Sequence, residues 1–313
     1  MAMAKTEIDL SIIIASFNTQ DLTSQAINSV VKETKNINYE IIVIDNDSHD
    51  GSIEVLEDLA SKYKNIKLIL NKENVGFGGA NNQGMKEARG RYVLLLNSDT
   101  LISDNVLEKM VVWMDENQKA GIATCSLLFK EGNLQGTGGY FPTLPRVFMW
   151  MTFLDDIPGI SNLIKPFHPM HGLSPLDKNE DFFTKKHQMD WITGAFFIIR
   201  KEVVEQMKGF DKDYFMYVEE VDYCYRAKKN GWEIWYLPEY SIIHYGGASS
   251  TAETPILGEI KGLKIFYKKH MPKWQLPILS MILKFGAILR ILIFGLSKGF
   301  GVAKIYAKAF MVA

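Results

Sequence analysis

The sequence predicts an α/β fold with a doubly wound, mostly parallel central sheet flanked by helices. Short runs rich in Ile, Val and Leu recur through the first 126 residues, and they are continuous rather than alternating, as in parallel strands buried on both faces. Segments with helical spacing separate these runs. The composition, 47% hydrophobic and 23% charged over 313 residues, is typical of a globular chain. Ligands of such a sheet bind at the carboxyl ends of its strands.

Five strands and the helices between them make up the first part of this fold. The predicted strands are Leu10–Ser16, Glu40–Asp45, Ile66–Leu70, Tyr92–Asn97 and Gly121–Ser126. Helical spacing is clearest after the first strand, where Leu22, Ala26 and Val30 recur on one side. We assign residues 8–126 to the half of the domain that faces the expected ligand.

The remainder of the chain divides into three parts. Residues 127–188 form an irregular insertion punctuated by Gly and Pro, which is typical of a variable region that shapes a cleft or packs on its rim. Residues 189–254 contain a further strand, DWITGAFFIIR, then a helix with EEVDYCYR and a strand at WEIWYLP. Residues 255–313 form an apolar tail with periodic cations, so we place the boundary of the main domain, 1–254, at that composition shift.

The tail differs from the rest of the chain in charge. Residues 255–313 carry ten Lys and Arg but only Glu259 as an acid, so their local charge is +9 while the whole chain is at −1. Charged residues leave uninterrupted apolar stretches far short of the ~20 residues of a bilayer span. The pattern favours a cationic amphipathic helix on the surface of an anionic membrane. A true span and a soluble helix packed on the domain or on a second subunit remain alternatives.

Several classes of protein are disfavoured. The near-zero net charge provides no global basic field for nucleic acid. Cys125 and Cys224 match no metal spacing and indicate reduced thiols in a cytosolic compartment. The N-terminal segment MAMAKTEIDL has no apolar core of signal-peptide length.

Carboxylates follow two of the predicted strands. Asp45 closes the second strand, and Asp99 lies just after the fourth, in the run NSDT. Both therefore belong to the edge of the sheet where ligands bind. Asn97, Ser98 and Asp99 form a triplet that resembles a DxD motif, and a hard divalent cation prefers such oxygen ligands, with phosphate oxygens completing its shell. Turn formation or helix capping is the competing interpretation, and it is favoured for the residues after Asp45.

The loops after the first and third strands exclude common nucleotide sites. The first strand ends in ASFN without the glycines that a dinucleotide-binding turn requires, which disfavours NAD and FAD. Phe17 near Asp45 would suit a base held by stacking and a carboxylate on a pyrimidine or ribose, although a phenylalanine at such a position, taken alone, is more often a core residue. The glycine-rich stretch KENVGFGGANNQG lacks the GK[ST] ending of an ATPase loop.

Seven motifs together resemble one family. In chain order they are SIIIASFN, VIDNDSHDGS, ENVGFGGANNQG, LLLNSDT, DWITGAFFIIR, GFDKDYFMYVEEVDYCYRAKKNGW and LPEYSIIHYGGAS. Their types and order are similar to those of the family 2 glycosyltransferases of GT-A fold, especially the rhamnosyltransferase-like branch. The resemblance extends over about residues 10–249.

The resemblance implies a nucleotide-sugar site. The residues that would hold the base, the ribose and the sugar diphosphate are Ser16, Phe17, Asn18, Asp45, Asn74, Gly76, Asn82, Asn97 and Ser98. Asp99 would be the principal ligand of a divalent cation, Mg or Mn, and His244 would complete the metal site. The family's first acidic position is occupied here by Asn97, a weaker oxygen donor.

The resemblance also implies an acceptor side and a base. Trp191 and Gly194 would floor the acceptor side, and Glu219, Glu220 and Asp222 match the family's acidic element. Glu220 stands where Asp is usual, and we predict it to be the catalytic base. If the segment is helical, Asp222 can pair with Arg226 four residues on, while Glu220 faces another direction.

Two functions from different classes follow. The first is an inverting, metal-dependent glycosyltransferase that moves a sugar, rhamnose in the branch it resembles, from a dTDP- or UDP-sugar to a glycan or polyprenyl-linked acceptor in cell-surface polysaccharide synthesis. It would be cytoplasmic and peripheral on the inner face of the cell membrane. The second is a catalytically inactive relative that acts as a scaffold in a membrane polysaccharide assembly complex, which the departures at Asn97 and Glu220 allow. A sugar nucleotidyltransferase is disfavoured because no glycine-rich triphosphate loop follows the first strand.

Overall fold

A central β-sheet organises the molecule. The computed structural model describes residues 7–157, 159–170, 180–246 and 253–313, and within them nine strands form one sheet in the order β3-β2-β1-β4-β10-β6-β11-β5, with β8 pairing to β11. Strands β7 and β9 form a separate two-stranded sheet. The strands are β1 Leu10–Ser16, β2 Tyr39–Asp45, β3 Ile66–Leu70, β4 Tyr92–Leu96, β5 Thr100–Leu101, β6 Ala120–Leu128, β7 Gly138–Gly139, β8 His187–Gln188, β9 Trp191–Ile192, β10 Phe196–Arg200 and β11 Glu233–His244.

Helices cover both faces of this sheet and form the tail. The α-helices are α1 Gln20–Glu33, α2 Ser52–Lys62, α3 Gly76–Glu87, α4 Val106–Glu116, α5 Leu144–Thr152, α6 Ile160–Leu163, α7 Lys201–Met207, α8 Glu219–Lys229, α9 Glu253–His270, α10 Gln275–Ser297 and α11 Phe300–Val312. Short 3-10 helices lie at Leu154–Asp156 and Glu180–Phe183.

The predicted doubly wound α/β fold is confirmed. Strands β1, β2, β3 and β4 pair in parallel, as do β6 and β11, whereas β10 is antiparallel between β4 and β6. Successive residues of β1 enter different cores: Ile13 belongs to one hydrophobic cluster, and Ile12 and Ile14 belong to the other. This two-sided burial explains why the strands have continuous rather than alternating apolar runs.

Two later elements differ from the sequence prediction. The segment DWITGAFFIIR is not one strand, because β9 pairs with β7 and only β10 enters the main sheet. The last strand is longer than predicted and runs to His244, with a register shift between Leu237 and Ser241. This extension brings His244 opposite Thr100 of β5. Tertiary pairing sets both lengths, which local propensity cannot reveal.

The tail consists of three helices that pack on the domain. Helix α9 contacts α8 through a hydrogen bond between His270 and Asp222 and through the rings of Phe266 and Tyr225. Helix α10 packs on α5 and α11. By length and composition alone, the 23 residues of α10 are enough to cross a membrane, although only a third of its most apolar window is buried in the protein. Its sequence includes Lys284 and Arg290, the charged residues that interrupt the apolar stretches of the tail.

Candidate active site

A cavity of about 320 Å³ lies at the carboxyl ends of β1 and β4. The other walls come from the segment before β10, the first residues of α8, and the end of β11. Ten predicted residues line it, namely Ser16, Phe17, Asn74, Asn97, Ser98, Asp99, Gly194, Glu219, Glu220 and His244. The fold therefore brings together side chains that are more than 200 positions apart in sequence, at the sheet edge where such folds bind ligands.

Asp99 and His244 face each other at one end of the cavity. The Asp99 carboxylate lies 3.2 Å from Nε2 of His244. The antiparallel pair of Thr100 and His244 and the hydrogen bond from the Tyr245 N–H to the Asp99 carbonyl fix their separation. On its other side the imidazole meets Gln135, whose Oε1 is 2.8 Å from Nδ1. Because Gln135 Nε2 donates to the His244 carbonyl, its Oε1 is the acceptor, so the ring proton belongs on Nδ1 and Nε2 points to Asp99.

This arrangement fits a divalent cation. A carboxylate and the Nε2 of a neutral imidazole are both electron-pair donors, and their approach is favourable when a cation lies between them. Asn97 Nδ2 is 3.4 Å from the same nitrogen, so this amide presents its NH₂ group there rather than an oxygen ligand. In the part of the chain that the structure describes, no three or more His, Cys, Asp and Glu side chains cluster as a complete metal site. Two protein ligands therefore leave the remaining positions to ligand oxygens and water.

Glu219 and Glu220 also line the cavity, and they lie in the first turn of α8. Burial raises the pKa of Glu220 to about 7, with a smaller contribution from Glu259. Burial and the charge of Glu220 raise the pKa of Glu219 well above its usual value. One carboxylate oxygen of each has no hydrogen-bond partner among the described residues. Near pH 7 Glu220 is thus available as a proton acceptor, and Glu219 holds its proton to higher pH than an ordinary glutamate does.

A strained turn presents these two glutamates. Tyr217 and Val218 have φ values of +72° and +70°, a backbone conformation that is costly for a β-branched residue. Tyr217 also lines the cavity. The turn packs directly against two glycines of α9, where a larger residue would not fit. A Cβ at Gly258 would lie 2.4 Å from Tyr217 Cδ2, and one at Gly262 would lie 2.6 Å from Val218 Cγ2. Helix α9 therefore supports the turn that aims Glu219 and Glu220 into the cavity.

Asp222 is a correction to the predicted acidic element. It is fully buried and does not line the cavity, because Oδ2 accepts from Arg226 Nε at 2.8 Å and Oδ1 is 2.6 Å from His270 Nε2. The four-residue spacing to Arg226 predicted this ion pair, and it is present. The side chain joins α8 to α9 rather than facing a substrate.

The predicted base and ribose residues have distinct positions. Phe17 is partly exposed in the cavity, while the Ser16 hydroxyl turns back to Thr19 and Thr23. Asn18 accepts from the His49 N–H at 2.8 Å and ties the end of β1 to the loop after β2, outside the cavity lining.

Asp45 is buried behind Ser16, its neighbour across β1 and β2. Its Oδ1 accepts from the Ser48 N–H, and its Oδ2 has no partner among the described residues.

The glycine-rich segment contributes through Asn74 rather than Asn82. Asn74 lines the cavity and accepts from the N–H of Gly76, which has a φ of +78° at the start of α3. The prediction for Asn82 is corrected by its hydrogen bonds to the backbone of Phe210. Its Oδ1 accepts from the Phe210 N–H at 2.7 Å, and its Nδ2 donates to the Phe210 carbonyl at 2.9 Å. It anchors the loop before the strained turn instead of lining the donor side.

The predicted place of Trp191 on the acceptor side is also corrected. It is 5% exposed, donates from Nε1 to the Phe167 carbonyl, and belongs to an aromatic core outside the cavity. Sequence reasoning missed several lining residues, namely Asn46, Phe77, Thr193, Met216, Tyr217 and Pro255. Asn46 could have been found from its place after Asp45. Gln135, which orients His244, lies in the irregular insertion and carries no local signal.

Comparisons with known proteins agree with this geometry. The family model described as glycosyl transferase family 2 matches residues 11–208. The N-acetylglucosaminyl-diphospho-decaprenol L-rhamnosyltransferase of Mycobacterium tuberculosis is 24% identical over 253 residues, covering 76% of this chain and 78% of its own length. The poly(ribitol-phosphate) beta-glucosyltransferase of Bacillus spizizenii is 36% identical over 111 residues, 35% of this chain and 18% of its own.

A solved structure shows the same fold. The mannosyltransferase from Pyrobaculum calidifontis, in complex with GDP-Man and Mn²⁺, aligns with a TM-score of 0.57 over 97% of this chain and 74% of that chain. At 14% sequence identity this likeness shows the fold alone. It confirms the expected GT-A arrangement of the central sheet.

Proposed function

The chain belongs to glycosyl transferase family 2, and from this premise we propose that it is an inverting, metal-dependent enzyme that transfers a sugar from a nucleoside diphosphate to an acceptor hydroxyl. The observation that carries the proposal is the pairing of two chemistries in one cavity. Asp99 and His244 form one pair in the cavity lining, and Glu220, with its pKa raised to about 7, lines the same cavity. These are the charge-neutralising and proton-accepting groups that the reaction requires.

Glu220 would act on the acceptor. Its carboxylate takes the proton from the acceptor hydroxyl as that oxygen attacks the anomeric carbon, and the nucleoside diphosphate leaves from the opposite face of the sugar. Burial and the charge of Glu220 raise the pKa of the neighbouring Glu219, which disfavours a second negative charge beside the base. The strained turn at Tyr217 and Val218 keeps the carboxylate oriented, and such alignment contributes directly to rate.

Asp99 and His244 would hold the cation. When bound, a divalent cation neutralises the charge that develops on the leaving diphosphate. Gln135 fixes the imidazole tautomer that this role requires. Phe17 supplies an aromatic face for the nucleotide base, and the unpartnered Oδ2 of Asp45 supplies an acceptor for a ribose hydroxyl or a base N–H, provided the Asp45 side chain becomes accessible on binding.

For the substrates, we propose dTDP-rhamnose as donor and a polyprenyl-diphosphate-linked glycan as acceptor in cell-surface polysaccharide synthesis. The similarity to the rhamnosyltransferase of Mycobacterium tuberculosis supports this choice, because the alignment covers most of both chains. A second cavity, of about 420 Å³, adjoins the first and shares Met216 and Tyr217 with it. Its lining includes Phe215, Leu257 and Lys261, so it offers an apolar face and a cation to an acceptor that carries both sugar and diphosphate.

Calorimetric titration tests the proposal. The purified protein is titrated with dTDP and with UDP, each with and without Mn²⁺, beside an Asp99→Ala variant. We expect metal-dependent binding of one nucleotide to the wild type and loss of the metal dependence in the variant. If a folded wild-type protein binds neither nucleotide, the enzyme proposal fails and the inactive scaffold takes its place.

A further inference from the structure

Helix α10 is apolar on both its inner and its outer face. The inner face packs on the protein through Leu279, Leu283, Ala287 and Phe294, all fully or almost fully buried. The outer face carries large apolar side chains that are 46% to 91% exposed, spaced at helical intervals of three and four residues. These residues, which we name the outer stripe, are Met281, Phe285, Ile288, Leu292 and Leu296.

The outer stripe is unlike the surface of a solvated helix. A helix on a soluble domain places polar residues opposite its buried face, and isolated exposed apolar residues are ordinary whereas a contiguous row is not. The stripe extends over 16 residues, and its two ends lie about 22 Å apart at the rise of an α-helix. Because its residues lie opposite the packed face, no rotation of the helix could bury both rows on this domain.

The inner face shows how the helix is held. Arg290 is buried on that side, and its guanidinium donates to the carbonyl groups of Trp150, at 2.8 Å, and Met151. Gly286 lies against Met151 so closely that a Cβ there would be 2.4 Å from Met151 Cε. A transmembrane orientation would remove α10 from α5 and leave Arg290 in the hydrocarbon without the two carbonyl groups that accept its hydrogen bonds. The packing therefore favours a helix that stays alongside the domain.

The charge around the stripe identifies its partner. The tail is the cationic part of the chain, and exposed lysines lie at both ends of α10 and at its flank, namely Lys273, Lys284 and Lys298. Trp274 and Phe300, at the two ends, are 61% and 84% exposed. Apolar residues bordered by cations and aromatic rings match the interface of an anionic bilayer, where each group finds its preferred environment. A second copy of this cationic surface would instead bring like charges together.

We propose that the outer stripe docks on an anionic lipid bilayer with α10 parallel to the membrane plane, its inner face remaining packed on the protein. The interaction is independent of catalysis, since it uses no residue of the active-site cavity. It also places the enzyme on a surface, where a lipid-linked substrate would be found.

Vesicle sedimentation tests the docking. The full chain is mixed with vesicles of phosphatidylglycerol and phosphatidylcholine, or of phosphatidylcholine alone, and the bound fraction is measured. We expect binding to the anionic vesicles that weakens with salt. A Phe285→Glu, Leu292→Glu double variant should bind more than about tenfold less, because two apolar anchors are lost. The matched control, Leu70→Glu with Val112→Glu, changes the same charge at two exposed apolar sites elsewhere and should bind within about twofold of wild type.

Depth measurement distinguishes a docked helix from a crossing one. Single cysteines replace Met281 and Leu296 in separate proteins, each is labelled with a fluorophore, and quenching by lipid-attached groups at known depths is compared. Cys125 and Cys224 are buried and leave the introduced thiols as the accessible ones. Equal, shallow depths support the proposal. Depths on opposite sides of the bilayer would overturn it in favour of a span, and dimerisation without vesicle binding would overturn it in favour of a second copy.

Discussion

Replacement of Gly262 by alanine is expected to slow sugar transfer by about a hundredfold while leaving nucleotide affinity unchanged. The new Cβ would lie 2.6 Å from Val218 Cγ2 and 2.8 Å from the Tyr217 carbonyl oxygen. Carbon atoms pack at about 3.5–4.0 Å, so the strained turn must move by about 1 Å. Glu219 and Glu220 follow that turn directly and would move with it, and a misplacement of this size costs roughly 10² in rate.

The stability effect follows from two opposing contributions. Alanine in place of a helical glycine stabilises a helix by about 1 kcal/mol. Overpacking in a close contact costs about 1–3 kcal/mol. The free energy of unfolding should therefore fall by no more than about 2 kcal/mol, which leaves the variant folded at room temperature for a domain of ordinary stability.

The assay measures three quantities on each protein. They are the release of nucleoside diphosphate from the donor selected by calorimetry, the Kd of that nucleotide, and the midpoint of thermal unfolding. Gly301→Ala in α11 is the matched control, because no atom lies within 4 Å of a Cβ there. We expect the control to transfer at the wild-type rate. A Gly262→Ala variant with wild-type transfer would refute the argument that α9 positions the catalytic turn.

Four further predictions concern three side chains. Since Glu220 must be ionised to accept a proton, the transfer rate should rise with pH through about 7, the pKa to which burial raises this group; a rate that is flat between pH 5.5 and 8.5, measured with saturating donor, would contradict its role. The folded-state pKa exceeds the unfolded one, so wild-type stability should decline as pH rises through about 7, and less steeply in Glu220→Gln. Phe215→Ala should raise the KM for a synthetic polyprenyl-diphosphate acceptor and leave donor hydrolysis unchanged, because Phe215 lines the second cavity and not the first. An equal loss in both reactions would contradict the assignment of Phe215 to the acceptor. Asn82→Ala should lower the free energy of unfolding by about 1–3 kcal/mol, since both polar groups of Phe210 lose their partner, with no change in nucleotide Kd; a weakened Kd at unchanged stability would restore Asn82 to the donor site.

Much of the fold could be predicted from local sequence patterns. The first four parallel strands begin and end within one residue of their predicted bounds, because each is a short, mostly apolar run followed by polar residues at the sheet edge. That regularity also placed Asp45 and Asp99 correctly at the carboxyl ends of their strands. The spacing of Asp222 and Arg226 predicted their ion pair, which is a local property of a helix.

The rest depends on contacts between distant segments. Trp191 and Asn82 belong to motifs that suggest a substrate role, yet their polar atoms are bonded to Phe167 and Phe210, partners that no pattern identifies. Gln135 orients His244 across 109 positions in sequence. The contact of α9 with the turn before α8 follows from the backbone angles of Tyr217 and Val218. These angles are unusual for such residue types, so residue propensities do not predict them. The tail likewise looked separable by composition, whereas His270 and Arg290 join it to the domain.

The most direct test of the proposed chemistry compares binding with turnover in Glu220→Gln. Calorimetry measures the affinity for the nucleoside diphosphate with Mn²⁺, and product analysis measures transfer under single-turnover conditions. We predict a Kd within about twofold of wild type and a fall in transfer of about 10²–10⁴, as expected when a general base is removed while the donor site is intact. Transfer at a near-normal rate, with the nucleotide still bound, would contradict the assignment of Glu220 and move the role of base to another group in the cavity.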